Sequence, residues 1–443
     1  MKDLTTGSEG KLIFNFAIPM LLGNVFQQLY QIIDSIIVGH FLGKEALAAV
    51  GASFPIIFAL ISMVIGIASG GTVVISQYFG AKDYDKVKRT IDTLYLFLLA
   101  TSIIITVAGI VFSEHIFRLM GLPEPLMPQA TTFLNIYLLG MVAFFGFNGT
   151  SAVLRGLGDS KTSLYFLIVA TVLNIGLDLL FIPVLKFGVG SAALATVISQ
   201  FVAFIATIIY LNNSHKILKI RYRIMVFDKK LFLQSLKIGL PTGLQQTFVA
   251  LGMVALMGMV NGFGTDVIAA YSVVGRIDAL AMMPAMNFSM ALSAFVGQNI
   301  GAQRNDRVKA GMMATLKMST IIAVIVSIMV IIFGNYFMRL FTNDAEVIRI
   351  GHEYLVIVGI FYFSFNAMFT FNGVMRGAGD TLVPMFITLF SLWLIRIPAA
   401  YFLSKHYAEI GIWWSIPVAW VLGMCGTYIY YKTGNWKKKI VVK

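Results

Sequence analysis

The sequence predicts an all-α integral membrane protein with 12 transmembrane helices, arranged as two six-helix bundles related by a pseudo-twofold axis along the membrane normal. Three observations predict it: a composition suited to lipid, a regular series of long apolar segments, and an internal repeat spanning six of them. The 443 residues are 58% hydrophobic and 12% charged, with a mean hydropathy of +0.85. A soluble chain carries about a quarter of its residues as Asp, Glu, Lys and Arg. The 40 glycines also fit, because membrane helices tolerate glycine better than soluble ones do.

Apolar segments fall near 12–40, 46–79, 91–113, 129–151, 162–184, 189–211, 232–261, 266–299, 312–334, 346–372, 383–404 and 411–431. Each supplies the roughly 20 apolar residues that a helix needs to cross a bilayer. The first run, Leu12 to Gly39, is too long for the h-region of a cleavable signal and reads as a span. The net charge of +13 could suggest nucleic acid, but its distribution argues against that. Lys82, Lys86, Lys88, Arg89, Lys216, Lys219, Arg221, Arg223, Lys229, Lys230, Arg304, Arg307, Lys309 and Lys437 to Lys439 all fall on one side of the alternating spans. The opposite loops offer only Lys44, Arg118, Lys186, Arg339, Arg349 and Lys405. The positive-inside rule then predicts a multi-pass protein of the inner, cytoplasmic membrane with both termini in the cytoplasm.

At an offset of 221 residues, Gln77, Gly80, Ala81, Asp85, Val87 and Lys88 recur as Gln298, Gly301, Ala302, Asp306, Val308 and Lys309. Arg155-Gly156-x-Gly158-Asp159 recurs as Arg376-Gly377-x-Gly379-Asp380. Pro19 meets Pro241 with a one-residue slip. The predicted organisation is a lobe over 1–211, a cytoplasmic connector over 212–231 and a second lobe over 232–443. An even six-helix repeat keeps both copies in one orientation, and such designs place a solute cavity between the lobes. The repeated Arg155/Asp159 and Arg376/Asp380 pairs fall in short turns. They serve either as caps of helix ends or as an inner-gate ion pair.

Positions that differ between the halves should carry the asymmetric work of ion coupling, and charges inside spans are costly enough to single out. Asp34 lies in the first span and Asp178 in the fifth, with Asn174 one helical turn before Asp178 and Thr196 in the sixth. At about 1.5 Å per residue, all four lie roughly 9–11 Å below the outer boundary. The second-half equivalents are Ala255 or Leu256, Ile395 and Ala399. Only the first half therefore has the carboxylate pair. Two carboxylates close together in low dielectric cannot both ionise cheaply, so the pair can hold a proton or a small cation. The competing reading is two unrelated polar residues in cavity walls. Arg276, Asp278 and Arg396 are candidates to line a cavity in the second lobe, although Arg276 could equally be a structural partner. Met282 and Met286 belong to an i, i+4 stripe that suits an adaptable pocket but also fits plain packing.

Other chemistries find no support. Cys425 is the single cysteine, and His40, His115, His215, His352 and His406 show no metal-ligand spacing. Gly188-x-Gly190-x-x-Ala193 matches a dinucleotide fingerprint but sits between two spans with no strand before it. There is no phosphate-binding GxxxxGK[ST] and no zinc-binding HExxH. An enzyme is not expected.

The stretches IIDSIIVGHFLGKEALAAVG, LRGLGDSKT and NIGLDLLFIP, within a plan of two six-helix repeats, resemble the multidrug and toxic compound extrusion (MATE) family across essentially the whole chain. The resemblance implies antiport, with H+ or Na+ entering as small organic cations or amphipathic drugs leave. It implies no cofactor and no nucleic-acid partner, and membrane lipid is the surroundings of a protein expected to be a monomer. It places the ion site at Asp34, Asn174, Asp178 and Thr196, with Tyr137 nearby and any Na+ held by Asp34 and Asp178. Pro19 matches a first-helix proline associated with bending. One branch of the family has an acid in the seventh span, where this chain reads PTGLQQTFVALGMVALM. The chain therefore looks closer to the branch using the first-lobe site. The alternative is a related flippase for lipid-linked saccharide precursors, which would need several inward-facing cations where only Arg276 and Arg396 are available.

Overall fold

The computed structural model describes residues 2–214, 219 and 225–442. Lys216, Arg221 and Arg223 of the expected cytoplasmic connector, and His215 beside them, lie outside the described residues. The described residues are almost entirely helical. In order they form α1 (Glu9–Gly80), α2 (Tyr84–Leu119), α3 (Met127–Leu139), α4 (Met141–Gly156), α5 (Lys161–Leu179), α6 (Gly190–Ser214) and α7 (Lys229–Val260). There follow α8 (Thr265–Gly301), α9 (Asn305–Arg339), α10 (Ala345–Gly359), α11 (Tyr362–Gly377), α12 (Leu382–Leu389) and α13 (Ile397–Thr433).

Eight helical stretches are individually long and apolar enough to cross a membrane, and the bent pairs α3–α4 and α10–α11 raise this to ten. Two of the eight contain a reversal. α1 is interrupted at Gly43 (φ 86°), and α13 at Tyr407 and Ala408. Counting each of those two stretches as a pair gives the twelve expected spans. At Gly43 the break has a local cause, because a positive φ is costly for any residue with a Cβ but not for glycine, whereas α13 takes its break at Ala408 (φ 49°) despite the Cβ.

The backbone repeats along with the sequence. Gly43 corresponds to Gly264 (φ 97°), Gly158 (φ 78°) to Gly379 (φ 94°), and Lys82 (φ 60°) to Gln303 (φ 59°), always at the 221-residue offset. The α3–α4 bend is 50° and the α10–α11 bend 49°. Hydropathy alone reads 129–151 and 346–372 as unbroken spans. The structure breaks each in the middle, at Gly140 in the first half, where the Val197 side chain packs so close that a Cβ would not fit.

Packing divides the chain into two units. One comprises Met1–Lys2 and Ile18–Leu240, the other Asp3–Ala17 and Pro241–Lys443. This differs from the linear division at two short stretches, since 3–17 pack with the second unit and the start of α7 with the first. Within the second unit the Leu4 side chain is buried, its N–H donates to Gln298 Oε1 (2.9 Å) and its carbonyl accepts from Asn299 Nδ2 (3.1 Å). Arg307 donates to the Gly7 carbonyl (2.7 Å) and pairs with Glu9 (2.9 Å). Gln298, a repeated turn residue in the sequence, is thus a docking point for residues near the start of the chain. Within the first unit, a Cβ on Gly70 would land on the Ser235 carbonyl, so glycine there allows α7 to approach. Both exchanges occur next to a proline, Pro19 and Pro241. The dihedrals stay helical through Pro19, and Gly43 is the one non-helical residue inside α1.

Candidate ion-coupling site

The first unit gathers its polar interior from α1, α5 and α6. α1 supplies Tyr30 and Asp34, one turn apart, and α5 supplies Thr171, Asn174 and Asp178 at i, i+3 and i+7. α6 supplies Thr196 and, one turn on, Gln200. Asp34 is nine residues before the Gly43 break, deeper by about three residues than hydropathy suggests, or ~4–5 Å. After Asp178 the helix widens into a π segment, Leu180–Val184, which contains Pro183. A proline has no N–H for the regular ladder, and a wider turn accommodates it.

Asp178 is fully buried and Asn174 nearly so. Asn174 Nδ2 donates to Thr196 Oγ1 (3.4 Å), whose hydroxyl donates to the Ala192 carbonyl (3.2 Å). The charges of Asp34 and Asp178 act on each other, and that of Asp34 also reaches the phenols of Tyr30 and Tyr137. Asp34, Asn174, Asp178, Thr196 and Tyr137 therefore lie in one region of the first unit. Tyr137 stands on α3 between Phe133 and Phe144, with ring centroids at 6.3 Å and 6.4 Å.

Several buried oxygens here have no hydrogen-bond partner among the described residues: Asp34 Oδ1, both carboxylate oxygens of Asp178, Asn174 Oδ1, Thr171 Oγ1 and Gln200 Oε1. Nearly all are pure acceptors. A buried carboxylate without donors costs several kcal/mol, so two of them side by side require a bound positive charge or a proton. Hard cations choose oxygen ligands of this kind. Beside them lies a cavity of about 10 Å³, lined in part by Tyr30, Thr171, Asn174, Thr196 and Gln200, which is the space of a single water molecule. Thr171, Gln200 and Tyr30 were not singled out from sequence. Their helical spacing from Asn174, Thr196 and Asp34 was the available signal.

The second unit treats its acid differently. Asp278 is buried and accepts from the hydroxyls of Tyr354 and Tyr362, each at 2.5 Å. Arg396 ends a second π segment, Phe390–Arg396, and its charge reaches Asp278 and Tyr271. Arg276 does not join them. It is exposed, with its guanidinium over the Phe341 ring at 6.0 Å. Met282 lines a small cavity with Tyr362, Phe365 and Asn366, whereas Met286 is exposed.

In the repeated turns, Asp159 accepts from the Thr162 N–H (3.1 Å) and hydroxyl (2.8 Å) at the start of α5. Asp380 accepts from the Tyr430 hydroxyl (2.6 Å). Arg155 and Arg376 each lie in the last turn of a helix, where a cation complements the dipole. The geometry supports the capping reading for Asp159, whereas Asp380 ties its turn to Tyr430 of α13.

A duplicated bundle of membrane-spanning helices with a buried carboxylate pair in one copy is a polytopic membrane protein with a candidate ion site in its first half. The MatE family model matches residues 19–180 and again 241–402, one copy per half. The chain belongs to this family. It is 34% identical to the probable multidrug resistance protein YpnP of Bacillus subtilis over 436 residues, covering 98% of this chain and 97% of that one. It is 34% identical to YoeA of the same organism (97% and 94% covered) and 26% identical to a probable multidrug resistance protein NorM of Thermotoga maritima (98% and 94%). Among solved structures, an outward-facing multidrug resistance MATE family transporter superposes with a TM-score of 0.92 at 23% identity, with 99% of each chain covered. A MATE protein in a straight conformation gives 0.91 at 24%, with 98% of each chain covered.

Proposed function

We propose that the protein is a secondary active antiporter that exports organic cations and amphipathic drugs in exchange for H+ or Na+, working as a monomer in the cytoplasmic membrane. The observation that carries this reading is the set of buried, unpartnered oxygens around Asp34 and Asp178. A conformation that keeps them dry needs the coupling ion, and one that hydrates them can release it. That difference in affinity is what lets an ion gradient bias the equilibrium between two states. The relatives named as multidrug resistance proteins support the substrate class. The flippase alternative has less support, since Arg276 and Arg396 are the two deep cations it would draw on.

The test is dye efflux from proteoliposomes with proton and sodium gradients imposed separately. Wild type should export an organic cation under one of them, and Asp34→Asn should not. Full activity in Asp34→Asn would place the coupling elsewhere.

A further inference from the structure

The end of α9 and the start of α10 wall a cleft of about 610 Å³, whose polar lining is Asn335, Arg339, Asn343, Arg349 and His352. No carboxylate is among its lining residues. The two helices interlock beside it. A Cβ on Gly334 would strike the His352 ring, and one on Gly351 would strike the Met338 side chain. His352 Nε2 donates to the Ile331 carbonyl (3.0 Å), which can only accept, and this bond fixes the ring. The shape of the cleft is therefore set before anything enters it.

Its two arginines are in different states. Arg349 is engaged, with Nε and one terminal nitrogen on Glu346 (3.0 and 2.7 Å) and the other on Glu353 (3.4 Å). Arg339 has no hydrogen bond or ion pair among the described residues. The first half shows what it lacks. At the 221-residue offset Arg339 corresponds to Arg118 and Asn335 to Glu114, and there Glu114 holds Arg118 at 2.6 Å, one turn along the helix. Arg349 and His352 stand where the first half has Pro128 and Thr131. The second half has exchanged the acid that would quench its arginine for an amide, and has added polar groups around it. Asp344 caps α10 by accepting from the N–H groups of Glu346 (2.9 Å) and Val347 (3.1 Å), so the character of the cleft comes from side chains.

The same helix offers a track for lipid. Ile325, Ile328, Ile332 and Tyr336 are all exposed on α9 and fall on one face at i, i+3, i+7 and i+11. The stripe is about 16 Å long, close to half of a hydrocarbon core ~30 Å thick, which is one leaflet. It ends at Tyr336, beside Asn335 of the cleft. We propose that the cleft binds the phosphate of a membrane phospholipid whose acyl chains lie along this stripe. The Arg339 guanidinium presents a planar fork of donors that matches two phosphate oxygens, and the Asn335 and Asn343 amides add neutral donors. The site lies apart from the acids of either unit and does not depend on what the protein exports.

The experiment is native mass spectrometry of the purified, delipidated full chain. It is titrated with phosphatidylglycerol and, separately, with dioleoylglycerol, which has the chains but no phosphate. Arg339→Gln should weaken phosphatidylglycerol binding about tenfold, the size of one lost charge-assisted contact. Asn335→Glu keeps Arg339 but restores the acid that the first half carries, and should weaken binding about as much. Arg118→Gln, at an exposed arginine already held by Glu114, should leave binding within about twofold of wild type. Unchanged binding in either Arg339→Gln or Asn335→Glu would overturn the site, as would an equal loss in Arg118→Gln. Dioleoylglycerol bound by wild type as tightly as phosphatidylglycerol would show that the chains are read and not the phosphate. Displacement of the lipid by glycerol 3-phosphate at equal concentration would assign the cleft to a soluble phosphate and overturn the lipid.

Discussion

The two units descend from one sequence pattern and share turn glycines and bends, yet they treat a buried acid in opposite ways. In the first, Asp178 is fully buried beside Asp34, and neither of its oxygens receives a donor among the described residues. In the second, Asp278 is nearly as buried but receives two tyrosine hydroxyls. A scaffold can be duplicated while the chemistry inside it diverges, because a few side chains decide whether a buried charge is held or exchangeable. The unsatisfied acid needs something mobile to complete it. The satisfied one is completed by the protein itself and is therefore suited to a fixed role.

The largest expected effect tests that contrast directly. Asp178→Asn and Asp34→Asn should each reduce gradient-driven dye efflux to background at matched expression, while dye binding persists because the apolar walls are unchanged. If instead Asp278→Asn abolished coupling as completely, the two acids would not differ in kind. We expect Asp278→Asn to lose thermal stability, by about 1–3 kcal/mol for two weakened charge-assisted bonds, with coupled efflux retained under the same gradient. Next in size are Asn174→Ala and Thr171→Ala. Each removes one oxygen and should raise the cation concentration needed for half-maximal efflux by roughly three- to tenfold, consistent with the loss of one polar contact. An unchanged ion dependence in both would remove α5 residues other than Asp178 from the site. The smallest effect is Asp380→Asn, which costs only the charged character of the Tyr430 bond, about 1 kcal/mol. Efflux should stay near wild type, and a large loss would restore the gate reading of the repeated turns.

Much of this was legible in the sequence for physical reasons. Lipid forces long apolar runs, so spans announce themselves, and duplication left Gly43/Gly264 and Gly158/Gly379 in register. Asp34 and Asp178 stood out because charge in a span is expensive. The bends at α3–α4 and α10–α11 were hidden, because a helix broken in the middle has the same hydropathy as a straight one. The partners of Asp278 were hidden as well. Tyr354 and Tyr362 are distant from it along the chain, and tyrosine in an apolar span carries no signal of its own. For Arg276 the sequence left a cavity role and a structural role open, because it gives a residue's depth on a helix but not the direction it faces.

The exchange of segments between the units has a consequence for biosynthesis. Residues 3–17 are synthesised before Gln298, Asn299 and Arg307, which receive them and follow roughly 300 residues later. The first unit likewise waits for the start of α7 to seat against Gly70. At ~5–20 residues per second, the leading segment stays undocked for about 15–60 s of synthesis. Cut at the connector, each half would lack a strip that the other half's coding sequence supplies. Recombination between relatives that swapped halves at that point would import a foreign strip into both units, so the two strips and their receiving surfaces are constrained to change together.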